Sequence, residues 1–176
     1  MKTLIVYSSQ TGFTKRYAEW LAEKLSAEIM TFKDAHKKDD NYFDPYDAII
    51  YGGWVAVEKI RNADWFTSRI AKWQSKRLAM FCVGASPAKY SGVNNLLDRS
   101  LTDEQKKFAK VFYCEGGLNY DKMPLSSKML MKTFAAMLNG KKDKSPDDIA
   151  MAEHVSKSGD YTDRKYIEPI AAYITQ

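Results

Sequence analysis

Five short apolar runs, separated by longer stretches with helical spacing, constrain the fold of this chain more than any other feature. A strand that is apolar on both faces belongs to a parallel sheet covered by helices on its two sides. The second run is the weakest of the five. The runs are "TLIVY" (3–7), "EIMTF" (28–32), "DAIIYGG" (47–53), "RLAMFCVG" (77–84) and "KVFYCEGG" (110–117).

The stretches between these runs carry helix signals. Apolar spacing predicts helices over 13–25 and 62–74, and Thr102 with Gln105 has the spacing of a capping box. Further helices are predicted over 124–138, after Ser145-Pro146 and over 162–175, where Pro169 either lies in the first turn or kinks the helix. The repeated alternation predicts an α/β fold: a doubly wound, five-stranded parallel sheet with helices on both faces.

Composition limits the classes of function. A length of 176 residues without a linker or repeat predicts one domain over 1–176. The net charge of +5 comes without a basic run interleaved with aromatics, so nucleic acid is not predicted as a partner. The start "MKTLIVYSS" is too short an apolar core for a signal peptide, and no run reaches membrane-spanning length, so a cytoplasmic protein is expected.

Cysteine and histidine contribute no predicted metal site. Cys82 and Cys114 each lie inside an apolar run and are expected to be core residues. His36 and His154 are far apart in the sequence and have no cysteine nearby, so zinc is not predicted.

The loop after the first strand is rich in hydroxyl groups. Ser9, Thr11 and Thr14 surround Gly12 where the strand passes into a helix, and a helix N-terminus favours a phosphate. Helix capping alone would need only one such residue. Neither the P-loop pattern nor the dinucleotide pattern G-x-G-x-x-G is present, so the loop predicts binding of a single terminal phosphate monoester.

The hexapeptide Ser9-Gln10-Thr11-Gly12-Phe13-Thr14 resembles the signature of the flavodoxin family. In that family, Ser/Thr-x-Thr-Gly-x-Thr after the first strand binds the phosphate of FMN. The resemblance therefore implies a flavodoxin-like fold and FMN as the cofactor. The position of the motif, directly between a predicted strand and a predicted helix, agrees with it.

Two further loops fit this resemblance, since ligands of such sheets bind at the carboxyl ends of the strands. Trp54, after the third strand, would stack on the flavin ring, with simple core packing as the alternative. Backbone after the fourth strand would bind the pyrimidine edge, and the segment after the fifth strand is a further candidate. The residues assigned to the ring are Gly53, Trp54, Val55, Gly84, Ala85, Ser86, Tyr90, Gly92 and Gly117.

The second half of the chain departs from small flavodoxins. Residues 118–160 form an extra segment before the last helix. Its order is similar to that of the flavodoxin-domain group that includes the menaquinone-dependent protoporphyrinogen oxidases. The likeness lies in "GGLNY" (116–120), a helix rich in Met and Lys, and "YTD" (161–163). It does not transfer a substrate.

The Met- and Lys-rich part of this segment, 124–144, allows two interpretations. It is either an interaction face, for a membrane surface holding quinone or for a partner protein, or a core helix with solvated lysines. Both remain open from the sequence.

These features predict an FMN-dependent oxidoreductase or redox subunit that transfers electrons to or from a partner enzyme, a quinone or a tetrapyrrole-type substrate. The alternatives are a plain flavodoxin electron shuttle and a flavin-free binding module of the same fold. No catalytic residue is predicted, because no histidine lies in the predicted site. Glu58, Lys59 and Arg61 either touch a substrate or partner or are loop charges that meet water. The flavin would carry the chemistry.

Overall fold

A central parallel sheet organises the computed structural model, which describes residues 1–176. Its strands are β1 (Thr3–Tyr7), β2 (Glu28–Thr31), β3 (Ala48–Ala56), β5 (Arg77–Gly84) and β6 (Ala109–Glu115), in the order β2-β1-β3-β5-β6. The short β4 (Lys59–Ile60) returns antiparallel to the end of β3. The predicted α/β class and the five-stranded parallel sheet are confirmed.

Helices cover both faces of the sheet. On one face lie α1 (Phe13–Leu25) and α7 (Glu168–Thr175), and on the other α2 (Phe32–Ala35), α3 (Ala63–Thr67) and α4 (Ser91–Arg99). Successive residues of β3 point to opposite faces: Ile49 joins the aromatic-rich core beneath α3, and Ile50 joins the core beneath α1. Each strand therefore has to be apolar on both sides.

The extra segment builds a small core of its own. It contains α5 (Leu125–Gly140), α6 (Pro146–Ser156) and a two-stranded ribbon of β7 (Gly117–Leu118) and β8 (Gly159–Asp160). Helix α6 begins with a capping box at Ser145 and Asp148. The buried side chains that the segment shares are Leu118, Ala135, Leu138, Met151, Ala152 and Val155.

Two of the predicted helices are wrong. Helix α3 ends at Thr67, although Ile70 and Trp73 are still buried, so the spacing over 62–74 reflects core contacts made from turns. The capping pair Thr102 and Gln105 forms as predicted but opens only a short 3₁₀ turn. Helix α4 was not predicted, because its polar sequence buries only Val93 and Leu96.

The tail helix is shorter than the predicted range 162–175, because Arg164–Ile167 form a 3₁₀ turn and α7 begins only at Glu168. Pro169 lies in the first turn of α7 and does not kink it. Cys82 and Cys114 are both fully buried in the sheet. Burial raises the pKa of the Cys82 thiol to about 12, which disfavours the reactive thiolate at neutral pH.

Gly52 gives a test of the sheet packing. A Cβ at this position would overlap the fully buried ring of Phe81, its neighbour on β5. We expect Gly52→Ala to lower the free energy of unfolding by about 1–3 kcal/mol, because the ring has to move within a packed core. Denaturant unfolding measures this change.

Gly140→Ala is the matched control. A Cβ at Gly140, the last residue of α5, meets nothing within 4 Å. The control should therefore leave the stability unchanged or raise it slightly, since alanine favours helices. Equal stability of the two variants would contradict the contact between Gly52 and Phe81.

Candidate functional site

The loop between β1 and α1 is shaped by Gly12. Gly12 has a φ of 105°, which L side chains rarely adopt, and a Cβ added to it would meet open space. Its amide donates to the Ser9 hydroxyl oxygen at 3.2 Å. The chain therefore turns into the helix with the surface above Gly12 free for a ligand.

The N-terminus of α1 lacks an internal cap. The first backbone hydrogen bond into the helix runs from the Arg16 amide to the Gly12 carbonyl at 3.0 Å, which leaves the amides of Phe13, Thr14 and Lys15 without a backbone acceptor. No side chain caps the helix, and its first turn holds no acidic residue. Free amides and the positive end of the helix dipole together favour an anion here.

A groove of about 370 Å³ opens beside this loop, on the side of β2. Lys15 and Lys33 line it together with Ser8 and Ser9 of the loop. Sequence reasoning missed the contribution of the β2 end, because only the pairing of β1 with β2 brings it there. The lining residues are Tyr7, Ser8, Ser9, Gln10, Gly12, Lys15, Thr31, Phe32 and Lys33.

The remaining residues of the predicted phosphate motif differ in burial. Thr11 is half-buried, whereas Phe13 packs into the core beneath α1 and Thr14 is only 1% exposed. The motif therefore has an outer part at the groove and an inner part that anchors the helix.

The stretch after β3 is a hairpin, where the sequence predicted a loop that carries Trp54. Trp54 and Val55 lie in β3 itself and are half-buried. The turn residues Val57 and Glu58 have φ of 47° and 60°, the left-handed values of a tight hairpin turn. A Cβ on Gly53 would come within 2.6 Å of the Ile60 side chain, so glycine is needed for the returning strand.

Two hydrogen bonds attach this hairpin to the site. The Tyr51 hydroxyl donates to the Arg61 carbonyl at 2.6 Å. The Asn62 side-chain amide donates to the Ser8 hydroxyl at 3.2 Å, which links the hairpin to the first loop. Trp54 is thereby held at the same edge of the sheet as the Gly12 loop.

The loop after β5 is anchored from β6. The Tyr113 hydroxyl donates to the Ser86 carbonyl at 2.7 Å, and the Ala88 amide donates to a Glu115 carboxylate oxygen at 3.2 Å. Burial raises the pKa of Tyr113 well above its ordinary value, so this phenol stays a neutral donor. Both anchoring side chains were missed from the sequence, although a carboxylate at the last residue of a buried strand is a usable signal.

Tyr90 and Gly92 lie at the start of α4. Tyr90 precedes the helix and packs against the core of the extra segment, as does Ala85. A Cβ on Gly92 would lie 2.5 Å from the Tyr90 ring. The loop from Gly84 to Gly92 therefore touches both the sheet edge and the extra segment.

Glu115 connects the sheet edge with the end of the chain. The Tyr166 hydroxyl donates to its carboxylate at 2.6 Å, and His154 Nε2 lies 3.3 Å from the other oxygen. Burial, and then the hydrogen bond to Glu115, raises the pKa of Tyr166. The His154 ring also stacks on the Tyr161 ring, with 4.2 Å between the ring centroids. His154 therefore lies one strand beyond the predicted site and contacts none of its predicted residues in these interactions.

The structure brings most of the predicted residues to one edge. The Gly12 loop, Trp54 and the Gly84–Gly92 loop follow β1, β3 and β5, which are neighbours in the sheet. Gly117 lies one strand further, in the ribbon of β7 and β8, where a Cβ would overlap the Gly159 backbone. The free amides at the start of α1 and the Trp54 side chain therefore lie at the same edge of the sheet.

Arg16 links α1 to residues 160–162 at the outer side of this edge. Its guanidinium pairs with Asp160 at 2.5 Å and donates to Thr162 at 2.8 Å. Burial raises the pKa of Asp160, but the hydrogen bonds from Thr162 and Arg16 outweigh it and leave the pKa below the ordinary value. The extra segment therefore contacts α1 through Arg16, the residue that directly follows the three free amides.

Comparison with known proteins agrees with this arrangement. The family model described as "Flavodoxin domain" matches residues 4–145. A search of the curated proteins found no match.

Solved structures with similar folds include three flavoproteins. Oxidised flavodoxin 2 from Bacillus cereus has 16% identity over 89% of this chain and 96% of its own, with a TM-score of 0.47. A flavoprotein in complex with FMN from Lactobacillus acidophilus has 17% identity over 65% and 91%, with a TM-score of 0.41. A Fusobacterium nucleatum flavodoxin bound to flavin mononucleotide has 18% identity over 63% and 69%, with a TM-score of 0.41.

The assignment rests on the family model and not on these low TM-scores. The matched range contains the Gly12 loop, the Trp54 hairpin, the Gly84–Gly92 loop and all five parallel strands. The chain belongs to the flavodoxin domain family.

Proposed function

We propose that this protein binds FMN at the carboxyl edge of β1, β3 and β5 and exchanges electrons through it. The observation that carries the proposal is the N-terminus of α1, with three free amides behind the left-handed Gly12. The site lies between β1 and β3, where the strand order reverses. Ligands of doubly wound sheets bind at such a switch point, and flavodoxin, with this strand order, binds FMN there.

The chain offers groups for each part of FMN. The amides of Phe13–Lys15 and the hydroxyls of Ser9 and Thr11 would hold the phosphate, and Lys15 would add positive charge. Trp54 and the Gly84–Gly92 loop would hold the ring. When bound, FMN supplies one- and two-electron chemistry, and the protein supplies binding and orientation.

We further propose an oxidoreductase or redox subunit rather than a general carrier, related to the group that contains the menaquinone-dependent protoporphyrinogen oxidases. The support is the contact of Tyr90 and Ala85 with the core of the extra segment. A segment that packs against a ring-binding loop can limit which partner, quinone or tetrapyrrole reaches the flavin. This packing favours the specialised function over a shuttle with an open ring edge.

The visible spectrum tests the central proposal. The purified protein, or the apoprotein after addition of FMN, should show the absorption bands of an oxidised flavin and lose them on reduction with dithionite. Denaturation should release FMN, identified by chromatography. A colourless protein that also fails to take up FMN would leave only the flavin-free binding module.

Two hydroxyl variants test the phosphate site. Ser9→Ala and Thr11→Ala each remove one of the two hydroxyls proposed to hold the phosphate, and both residues are half-buried. Each should weaken FMN binding about tenfold, because hydrogen bonds to a charged group are worth roughly 1.5–3 kcal/mol. Fluorescence titration with FMN measures the dissociation constant.

Thr67→Ala and Thr133→Ala are the controls, since both lie outside the site, in α3 and α5. They should bind FMN like the parent protein. Unchanged affinity in the Ser9 and Thr11 variants would show that the phosphate does not bind at this loop.

The choice of electron acceptor separates the two redox functions. The reduced protein should be mixed with a menaquinone analogue and with an electron-transfer protein, and the oxidised protein with a reduced tetrapyrrole, while the flavin bands are followed. We expect fast reoxidation of the flavin by the quinone or fast reduction of the flavin by the tetrapyrrole. Reaction with the protein acceptor alone would favour a plain flavodoxin shuttle.

A further inference from the structure

The outer face of α5 exposes large apolar side chains to solvent. Leu125 is 73% exposed, Met129 63%, Leu130 54% and Met137 56%. They lie along one side of a 16-residue helix, about 24 Å long. We call these four residues the α5 apolar face.

The inner face of the same helix is already packed against the rest of the protein. Ala135 and Leu138 are buried against Met151 and Val155, which lie on α6. The α5 apolar face is therefore not needed to attach the helix to the protein. The sequence left open whether this helix belongs to a core or forms an interaction face, and the structure gives it one buried side and one exposed side.

No charge interrupts the α5 apolar face. Between its four members the same side of the helix carries only Ser126, Thr133, Ala136 and Gly140. On α1, by contrast, the exposed residues include Lys15, Arg16, Glu19 and Glu23. Solvent-facing helices normally carry such charges, so the α5 apolar face fits a partner that is itself apolar.

Lysines border this face. Lys128 and Lys132 lie along one flank, and Lys142 and Lys144 follow the C-terminal end. None of these four makes an ion pair within the chain, whereas Lys141 pairs with Asp148 at 2.7 Å. The helix itself contains no acidic residue. An apolar strip with free lysines beside it matches the surface of an anionic bilayer.

We infer that α5 docks this protein on an anionic phospholipid surface. The Leu and Met side chains would enter the boundary between headgroups and acyl chains, and the lysines would contact lipid phosphates. No helix of the protein is both long enough and apolar enough to cross a membrane, so α5 would lie in the plane of the interface. This inference is independent of FMN binding, because none of these residues belongs to the flavin site.

A second copy of the chain fits the face less well than lipid does. Pairing two such faces would bring the free lysines of both copies together, and no acidic residue on the helix could neutralise them. The four apolar side chains also offer no hydrogen-bonding group that would give a protein partner specificity. An acidic bilayer supplies both the apolar layer and the negative charge.

Vesicle sedimentation tests the inference. We expect the protein to sediment with phosphatidylcholine vesicles that contain about 30 mol% phosphatidylserine, and not with pure phosphatidylcholine, at about 0.15 M salt. Lys128→Gln combined with Lys132→Gln should weaken this binding about tenfold or more, and Met129→Gln several-fold.

Two controls match these variants. Lys106→Gln with Lys107→Gln removes the same charge from a distant 3₁₀ turn, and Ile29→Gln changes an exposed apolar residue of the edge strand β2. Both should sediment like the parent protein. Circular dichroism checks that all variants fold.

Three outcomes would overturn the inference. In the first, the protein sediments with neither vesicle. In the second, the lysine control loses as much binding as the α5 variant, which would show attraction by net charge alone. Light scattering could also reveal a dimer that Met129→Gln dissociates, which would assign the face to self-association. None of these outcomes changes the flavin spectrum. Failure of the lipid-docking inference can therefore be distinguished from failure of the proposed FMN binding.

Discussion

The parallel pairing of β1 with β3 is the constraint on which the site depends. The register places Tyr7 opposite Gly52, and the Ser8 amide extends the ladder by donating to the Gly52 carbonyl at 2.8 Å. Because both strands end at the same edge, the Gly12 loop and the Trp54 hairpin become neighbours. Since β2 pairs on the other side of β1, helix crossovers leave this junction in opposite directions and open a crevice there.

A polar network joins this edge to the C-terminal half of the chain. The Tyr17 hydroxyl of α1 donates to the Glu115 carbonyl at 2.6 Å and accepts from the Asp163 amide at 3.0 Å. The Glu115 carboxylate meanwhile holds the Ala88 amide and the Tyr166 hydroxyl. Buried polar groups of this kind are stable only when they are all paired, so the network fixes the loop after β5 and the tail together.

Elements defined by local sequence were predicted better than elements defined by contacts between distant residues. Strands β1 and β5 and helices α1 and α5 were predicted within about two residues, because long apolar or periodic runs report local structure well. The hairpin after β3 was missed, since Val57 and Glu58 carry none of the Asn-Gly signals that such turns usually have. The helix over 62–74 was predicted too long, because Ile70 and Trp73 are buried by tertiary contacts at helix-like spacing.

By itself the sequence determined the strand-and-helix alternation, hence the parallel sheet, and the hydroxyl-rich glycine turn before α1. Both depend on backbone preferences and on which side chains leave water, which are properties of neighbouring residues. Only the tertiary structure decided that Lys33 faces the Gly12 loop, that His154 and Tyr166 reach Glu115, and that one side of α5 stays exposed. These features join residues far apart in the chain, and their distances follow from strand order and helix packing, which no local pattern encodes.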